Sequence, residues 1–369
     1  MSDKWPSWLP LRSDLQSLSA YGAPQVPAQA AMNTNENPFP PSPQLQEAIS
    51  KKLAQVSATL NRYPDRDAIA LRKSLSLFIN ELSQTSFDEK SIWAANGSNE
   101  ILQSLFLAFA GGSALGFTPS YSMHPLIAKV TSVRWIDGAR NEDFTFNIDK
   151  AIAHVEEFKP RLTFITTPNN PTGDAISIGD IDRLAHVVAS IGGLLIVDEA
   201  YAEFSQEISA VTLIDTHPHV VVIRTMSKAF AFAGARVGYL IANPKVVEAM
   251  TLVRLPYHLS ALTQGAAVVA LEFRKELLAT VSTLVRERER VVDALHAMGL
   301  STIASSANFV LFSGFGQSAP QLWQAMLDRG ILIRDVGLSG YLRVTIGNEA
   351  ENNAFIEKLQ EIHNETSQS

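Results

Sequence analysis

The run Leu194-Leu195-Ile196-Val197-Asp198-Glu199-Ala200-Tyr201 decides the fold. Four large apolar residues in succession, with no polar alternation, describe a strand covered on both faces. The run ends abruptly on a carboxylate, which places an acid at the mouth of a buried strand. Asp at such a junction also serves as a helix N-cap, and Tyr201 also suits a core. Taken alone, the run therefore speaks for architecture and not yet for chemistry.

Outward from it, residues 113–117, 162–166, 193–197, 220–223 and 238–241 have the same near-continuous apolar, β-branched character. Between and before them, residues 44–60, 68–82, 98–110, 178–190 and 244–254 carry a helical period. Strand–helix alternation predicts an α/β fold on a mostly parallel central sheet. A long helical stretch over residues 259–298 then leads to a different pattern. There 308–312, 331–333 and 342–346 read as strands, separated by helices at 319–329 and 349–361. The expected organisation is an irregular, Pro-rich N-terminal arm (1–40), a large domain (41–255), and a smaller α+β domain (256–369) packed with the arm.

The chain has 369 residues, 46% of them hydrophobic and 18% charged, the balance of a globular protein with a sizeable core. A formal net charge of −7 gives no basic footprint for nucleic acid. No cysteine is present, so disulfides and thiolate metal sites are excluded, and no metal is expected. Residues 1–14 lack the apolar run of a signal peptide, and no apolar segment is long enough to cross a bilayer. The expectation is a cytoplasmic protein without nucleic-acid or membrane partners.

In α/β sheets, ligands sit at the carboxyl ends of the strands, and the unusual residues of this chain follow the apolar runs. After the strand at 220–223 comes Arg224-Thr225-Met226-Ser227-Lys228-Ala229-Phe230, and eight positions beyond Lys228 comes Arg236. A lone lysine is usually solvated and a lone arginine usually pairs with a surface acid. Here both follow one strand, beside a carboxylate at the end of another, with hydroxyls between. Thr166-Thr167-Pro168-Asn169-Asn170-Pro171-Thr172-Gly173 is dense in turn formers and offers the Asn170 amide to the same crevice. Ala95-Asn96-Gly97-Ser98-Asn99-Glu100 precedes an apolar helix and suits either a simple cap or a phosphate held at a helix start.

The order of these motifs resembles the fold-type I pyridoxal-phosphate (PLP) aminotransferases over almost the whole chain. It is most similar to their histidinol-phosphate branch. The closer likeness rests on Asn33-Thr34-Asn35-Glu36-Asn37-Pro38, Asn61-Arg62-Tyr63-Pro64, Tyr201-Ala202-Glu203-Phe204, Gly330-Ile331-Leu332-Ile333-Arg334-Asp335 and Leu342-Arg343-Val344-Thr345-Ile346-Gly347. Thr225 stands where many relatives carry Ser, and its hydroxyl preserves the chemistry.

That resemblance implies pyridoxal 5'-phosphate bonded to Lys228, which also carries the proton during turnover. It assigns Asp198 to the pyridine nitrogen, and Tyr201 and Asn170 to the ring's phenolic oxygen. Tyr121 would stack on the ring. Arg236, Thr225, Ser227 and the amides of Ser98 and Asn99 would hold the phosphate. Tyr63 would reach the phosphate of a neighbouring subunit, which makes an active homodimer obligatory. Arg343 and Arg334 would bind substrate, with Tyr21 and Asn35 lining its side; for both arginines the bland reading is an interdomain salt bridge.

The implied activity is transfer of an amino group from L-histidinol phosphate to 2-oxoglutarate. An aromatic amino-acid aminotransferase on the same scaffold is the nearest alternative, and a PLP-dependent decarboxylase of a phosphorylated amino acid a second. A PLP-sensing transcription regulator needs a separate DNA-binding domain, and only about forty residues precede the first motif.

Overall fold

The computed structural model describes residues 5–20 and 22–367. Its strands are β1 (Ala30–Ala31), β2 (Ile92–Ala95), β3 (Ser113–Thr118), β4 (Arg134–Ala139), β5 (Leu162–Thr166), β6 (Leu194–Asp198), β7 (Val220–Thr225), β8 (Gly238–Ala242), β9 (Ser301–Thr302), β10 (Phe309–Ser313), β11 (Ile331–Leu332) and β12 (Tyr341–Thr345). The helices are α1 (Pro43–Ser57), α2 (Ile69–Ser83), α3 (Ser98–Phe109), α4 (Met123–Val130), α5 (Ile148–Phe158), α6 (Ile178–Ser190), α7 (Pro244–Met250), α8 (Ala261–Glu272), α9 (Arg274–Ala297), α10 (Ala319–Asp328) and α11 (Glu349–Ser367).

Among the described residues, seven strands form the central sheet in the order β2-β8-β7-β6-β5-β3-β4. All pairings from β7 to β4 are parallel, and only β8 runs against its neighbours. The sheet is thus mostly parallel, as expected. Every residue of β5 and β7 is buried, which is why those strands carry no polar alternation. Each fully buried Val or Ile contributes about 1.5–3 kcal/mol relative to exposure, so Val220–Ile223 alone anchors the middle of the sheet. Helices cover both faces, and one apolar cluster lies on each side.

The C-terminal part carries a separate three-stranded antiparallel sheet, β12-β10-β9, with α9, α10 and α11 packed around it. The N-terminal arm joins this part through β1, which pairs in parallel with β11. Helix starts follow local chemistry. Ser42, Ser177 and Ser260 each accept the amide of the third residue onward, and Ser318 and Gln321 close a capping box on α10.

Three sequence expectations need correction. The helix expected over 244–254 ends at Met250, because residues 251–254 continue only as turns. The stretch 259–298 is two helices, α8 and α9, that break at Phe273, where no Pro or Gly signals it. Strands β2 and β4 and helices α4 and α5 were not expected at all.

Candidate active site

The ends of β3, β5, β6 and β7 open on one cavity of about 470 Å³, which the arm and the C-terminal part close from above. Asp198 is the last residue of β6 and is 2% exposed. Its Oδ1 accepts the amide of Ala200 at 3.2 Å, and its Oδ2 lies 3.1 Å from His124 Nε2. His124 is itself buried, with its ring against Tyr121, Phe164 and Trp135.

Lys228 follows β7 by three residues and reaches up into the cavity. Its Nζ donates to the carbonyl of Thr34 at 2.8 Å and stands 6.0 Å from the centre of the Tyr201 ring. Burial, and then the nearby cations of Arg343 and Arg236, push its pKa down to about 8, with Glu36 opposing. The hydroxyl of Tyr201 accepts from Asn35 Nδ2 at 2.9 Å and from Asn170 Nδ2 at 3.3 Å. Its ring meets Phe309 edge-on at 5.1 Å.

At the other end, the start of α3 lies against β8 and Arg236. Gly97 has φ +82°, and a Cβ there would stand 2.6 Å from Arg236 Nη2. A Cβ on Gly238 would come within 2.4 Å of Ser98 N and Gly97 C. Both positions must be glycine for the first-turn amides of α3, the Arg236 guanidinium and the end of β7 to meet. Thr225 Oγ1 accepts the Ser227 amide at 3.1 Å, which holds the two hydroxyls side by side. Tyr121 donates to Asn99 Oδ1 at 3.2 Å and lines the same wall.

The two arginines come from the C-terminal part. Arg343 in β12 and Arg334 exchange backbone hydrogen bonds of 2.9 Å, a bridge that sets both guanidinium groups at one rim of the cavity. Arg343 Nη1 donates to Asn170 Oδ1 at 2.5 Å and Nη2 to the Asn33 carbonyl at 2.8 Å, over the Phe309 ring. Among the described residues Arg334 forms no ion pair, and Arg343 pairs with amides and carbonyls.

A family model described as "Aminotransferase class I and II" matches residues 28–359. The chain belongs to that family. This aminotransferase is 52% identical over 351 residues to the histidinol-phosphate aminotransferase of Mycolicibacterium smegmatis, covering 94% of this chain and 92% of that protein. It is 50% identical, with the same coverage, to the one from Mycobacterium sp. strain JLS. Its fold matches the histidinol-phosphate aminotransferase from Sinorhizobium meliloti, solved in complex with pyridoxal-5'-phosphate. The TM-score is 0.82 at 23% identity, over 96% of this chain and 98% of that one.

Of the residues singled out in the aminotransferase sequence, Ser98, Asn99, Tyr121, Asn170, Asp198, Tyr201, Thr225, Ser227, Lys228, Arg236, Arg334, Arg343 and Asn35 all line the one cavity. Tyr63 does not; it is 79% exposed and stacked on Tyr257 at 4.3 Å. Tyr21 lies outside the described residues. Sequence reasoning missed His124 beneath Asp198, and Thr34, which meets Lys228. Thr34 acts through its carbonyl, which carries no side-chain signal.

These groups fit pyridoxal phosphate. An amine with a lowered pKa stands in mid-cavity, a carboxylate lies at the floor, and the far end is lined by helix-start amides, hydroxyls and a guanidinium that the close contacts of Gly97 and Gly238 bring together.

Proposed function

We propose that this aminotransferase moves the amino group of L-histidinol phosphate to 2-oxoglutarate, giving imidazole acetol phosphate and L-glutamate, a step of histidine biosynthesis. The observation that carries the substrate reading is the bridged pair Arg334 and Arg343 at one rim of the cavity. It is joined by half-identity to histidinol-phosphate aminotransferases over nearly the whole chain. Two guanidinium groups suit a phosphate dianion and can also grip the carboxylates of glutamate. One site can therefore serve both half-reactions in turn, as a ping-pong scheme requires.

Pyridoxal 5'-phosphate, when bound, supplies the electron sink that makes the substrate's Cα proton removable. Lys228 is the residue placed to bond it and then to carry that proton, since an amine with a pKa of about 8 is neutral in useful amount near neutrality. Asp198, backed by His124, would hold a proton at the heterocyclic nitrogen and so keep the ring positive. Asn35 and Asn170 fix the Tyr201 hydroxyl from two sides, which orients the group that would meet the ring oxygen. Arg236, Thr225, Ser227 and the start of α3 would take the cofactor phosphate, and Tyr121 would cover the ring face. Asn170 also holds Arg343, which links the cofactor end of the cavity to the substrate end.

The same reading includes a cytoplasmic homodimer in which Tyr63 reaches the partner's phosphate site; its exposure at 79% supports this. Among the described residues, no helix is long and apolar enough to cross a membrane. It also retains the division into an arm (1–40), a large domain (41–255) and a small domain (256–369).

The test is kcat/KM for L-histidinol phosphate and for L-phenylalanine, with 2-oxoglutarate, in the wild type and in Arg334→Ala. Loss of a charged hydrogen-bonding partner of a dianion predicts a fall of about 100-fold for histidinol phosphate and under about tenfold for phenylalanine. A wild-type preference for phenylalanine, or equal losses, would overturn the substrate reading. Carbon dioxide release without 2-oxoglutarate would overturn transamination.

A further inference from the structure

Away from the cavity, Asp182, His186 and His217 bring two imidazoles and a carboxylate together, with one ligand atom from each lying within 4.8 Å of the others. We infer that these three residues form a binding site for a divalent metal of the zinc type, clasping α6 to the turn that leads into β7. None of them lines the active-site cavity.

The local structure explains the convergence. Asp182 and His186 are four apart on α6, so they share one face of the helix. His217 comes from the short connection before β7, and its Nε2 stands 2.8 Å from Asp182 Oδ1. Two ligands on one tetrahedral zinc, each at about 2.0–2.1 Å, stand about 3.3 Å apart. A metal would thus part this pair by only a few tenths of an ångström. The rings of His186 and His217 lie 4.6 Å apart, edge to face at 77°.

The surroundings suit a metal better than a plain ion pair. His186 Nδ1 lies 2.9 Å from the carbonyl of Asp182. A carbonyl only accepts, so Nδ1 donates to it, which leaves Nε2 as the ring nitrogen for a metal. Metal-bound histidines are oriented in this way, with the second nitrogen on a carbonyl or carboxylate. His217 is buried and its ring is flanked by His219 at 5.6 Å, whose own Nε2 lies 2.8 Å from the Ala185 carbonyl. With no cysteine in the chain, an N/N/O set completed by water selects zinc, nickel, cobalt or copper over magnesium or calcium. The alternative is a structural His217–Asp182 hydrogen bond with His186 as an idle surface residue.

The two readings part on His186, which is exposed. The holoenzyme is freed of metal with a chelator and titrated with zinc chloride by calorimetry. Cobalt(II) is then added while the visible d–d absorption of a low-symmetry site is followed. The expected result is one zinc per chain at micromolar or tighter affinity, weakened about 10–100-fold or more in both His186→Gln and Asp182→Asn. Transamination should be unchanged in either variant, and zinc should raise the wild-type Tm but not that of His186→Gln. Absence of a one-to-one binding isotherm and of the cobalt spectrum would overturn the inference. So would zinc affinity that is the same in His186→Gln and Asp182→Asn as in the wild type.

Discussion

At Lys228 the sequence placed an amine after a buried strand, and the fold then surrounded it with two cations. Burial, followed by Arg343 and Arg236, brings its pKa from 10.5 to about 8. Only the neutral amine is a nucleophile. The rate at which the apoprotein takes up pyridoxal phosphate should therefore rise about tenfold per pH unit and level off near pH 8. A lysine at its ordinary pKa would show a rate still climbing past pH 10. Stopped-flow absorbance of reconstitution across that range is the measurement. Arg343→Ala removes a like charge and should move the break upward, though not fully, because burial is the larger cause. The sign for stability follows from the same shift. Between about pH 8 and 10.5 the unfolded chain binds the Lys228 proton more tightly than the folded one, so the apoprotein gains stability as pH rises through that window.

The start of α3 shows what an element can contribute that no single side chain does. Gly97 and Gly238 let the helix end, β8 and Arg236 come together, and at Gly238 the clash of an added Cβ is with backbone, which cannot swing aside. Gly238→Ala should therefore push α3 from the phosphate end of the cavity. The expected outcome is a rise of about tenfold or more in the dissociation constant for pyridoxal phosphate and a stability loss of about 1–3 kcal/mol, read by equilibrium dialysis and thermal melting. Unchanged cofactor affinity would mean that the helix start does not serve the phosphate. This element was legible in sequence because Asn96-Gly97-Ser98 precedes an apolar period, and β5 and α6 were legible to the residue for similar reasons. β4 was not, since it is an edge strand whose Arg134 and Asp137 face out, and β2 is a four-residue run half made of alanine. His124 was invisible for a different reason: its meaning lies in Asp198, 74 residues away, and no local pattern records that distance.

Across the whole molecule, the cavity is assembled from segments far apart in the chain, and its contacts run in a closed ring. Thr34 of the arm meets Lys228, Asn35 meets Tyr201 and Thr345, Asn308 meets the Asn35 carbonyl, and Arg343 returns to Asn170. Within one chain the ring closes without Tyr63, whose exposed side chain stacks on Tyr257. If Tyr63 completes the site of a second copy, each active site takes Lys228 from one chain and Tyr63 from the other. Lys228→Ala should then abolish turnover and the visible band of the lysine-bound cofactor. Tyr63→Ala should leave that band in place while weakening cofactor retention. Unfolding and refolding the two variants together yields hybrids in which one of two sites has both native residues and the other has neither. With random pairing, activity should recover to about a quarter of the wild-type value at limiting cofactor. A site contained within one chain predicts only the average of the two parents, because mixing then creates no new combination. The recovery above that average, measured against chain ratio, decides between a shared site and a self-sufficient one.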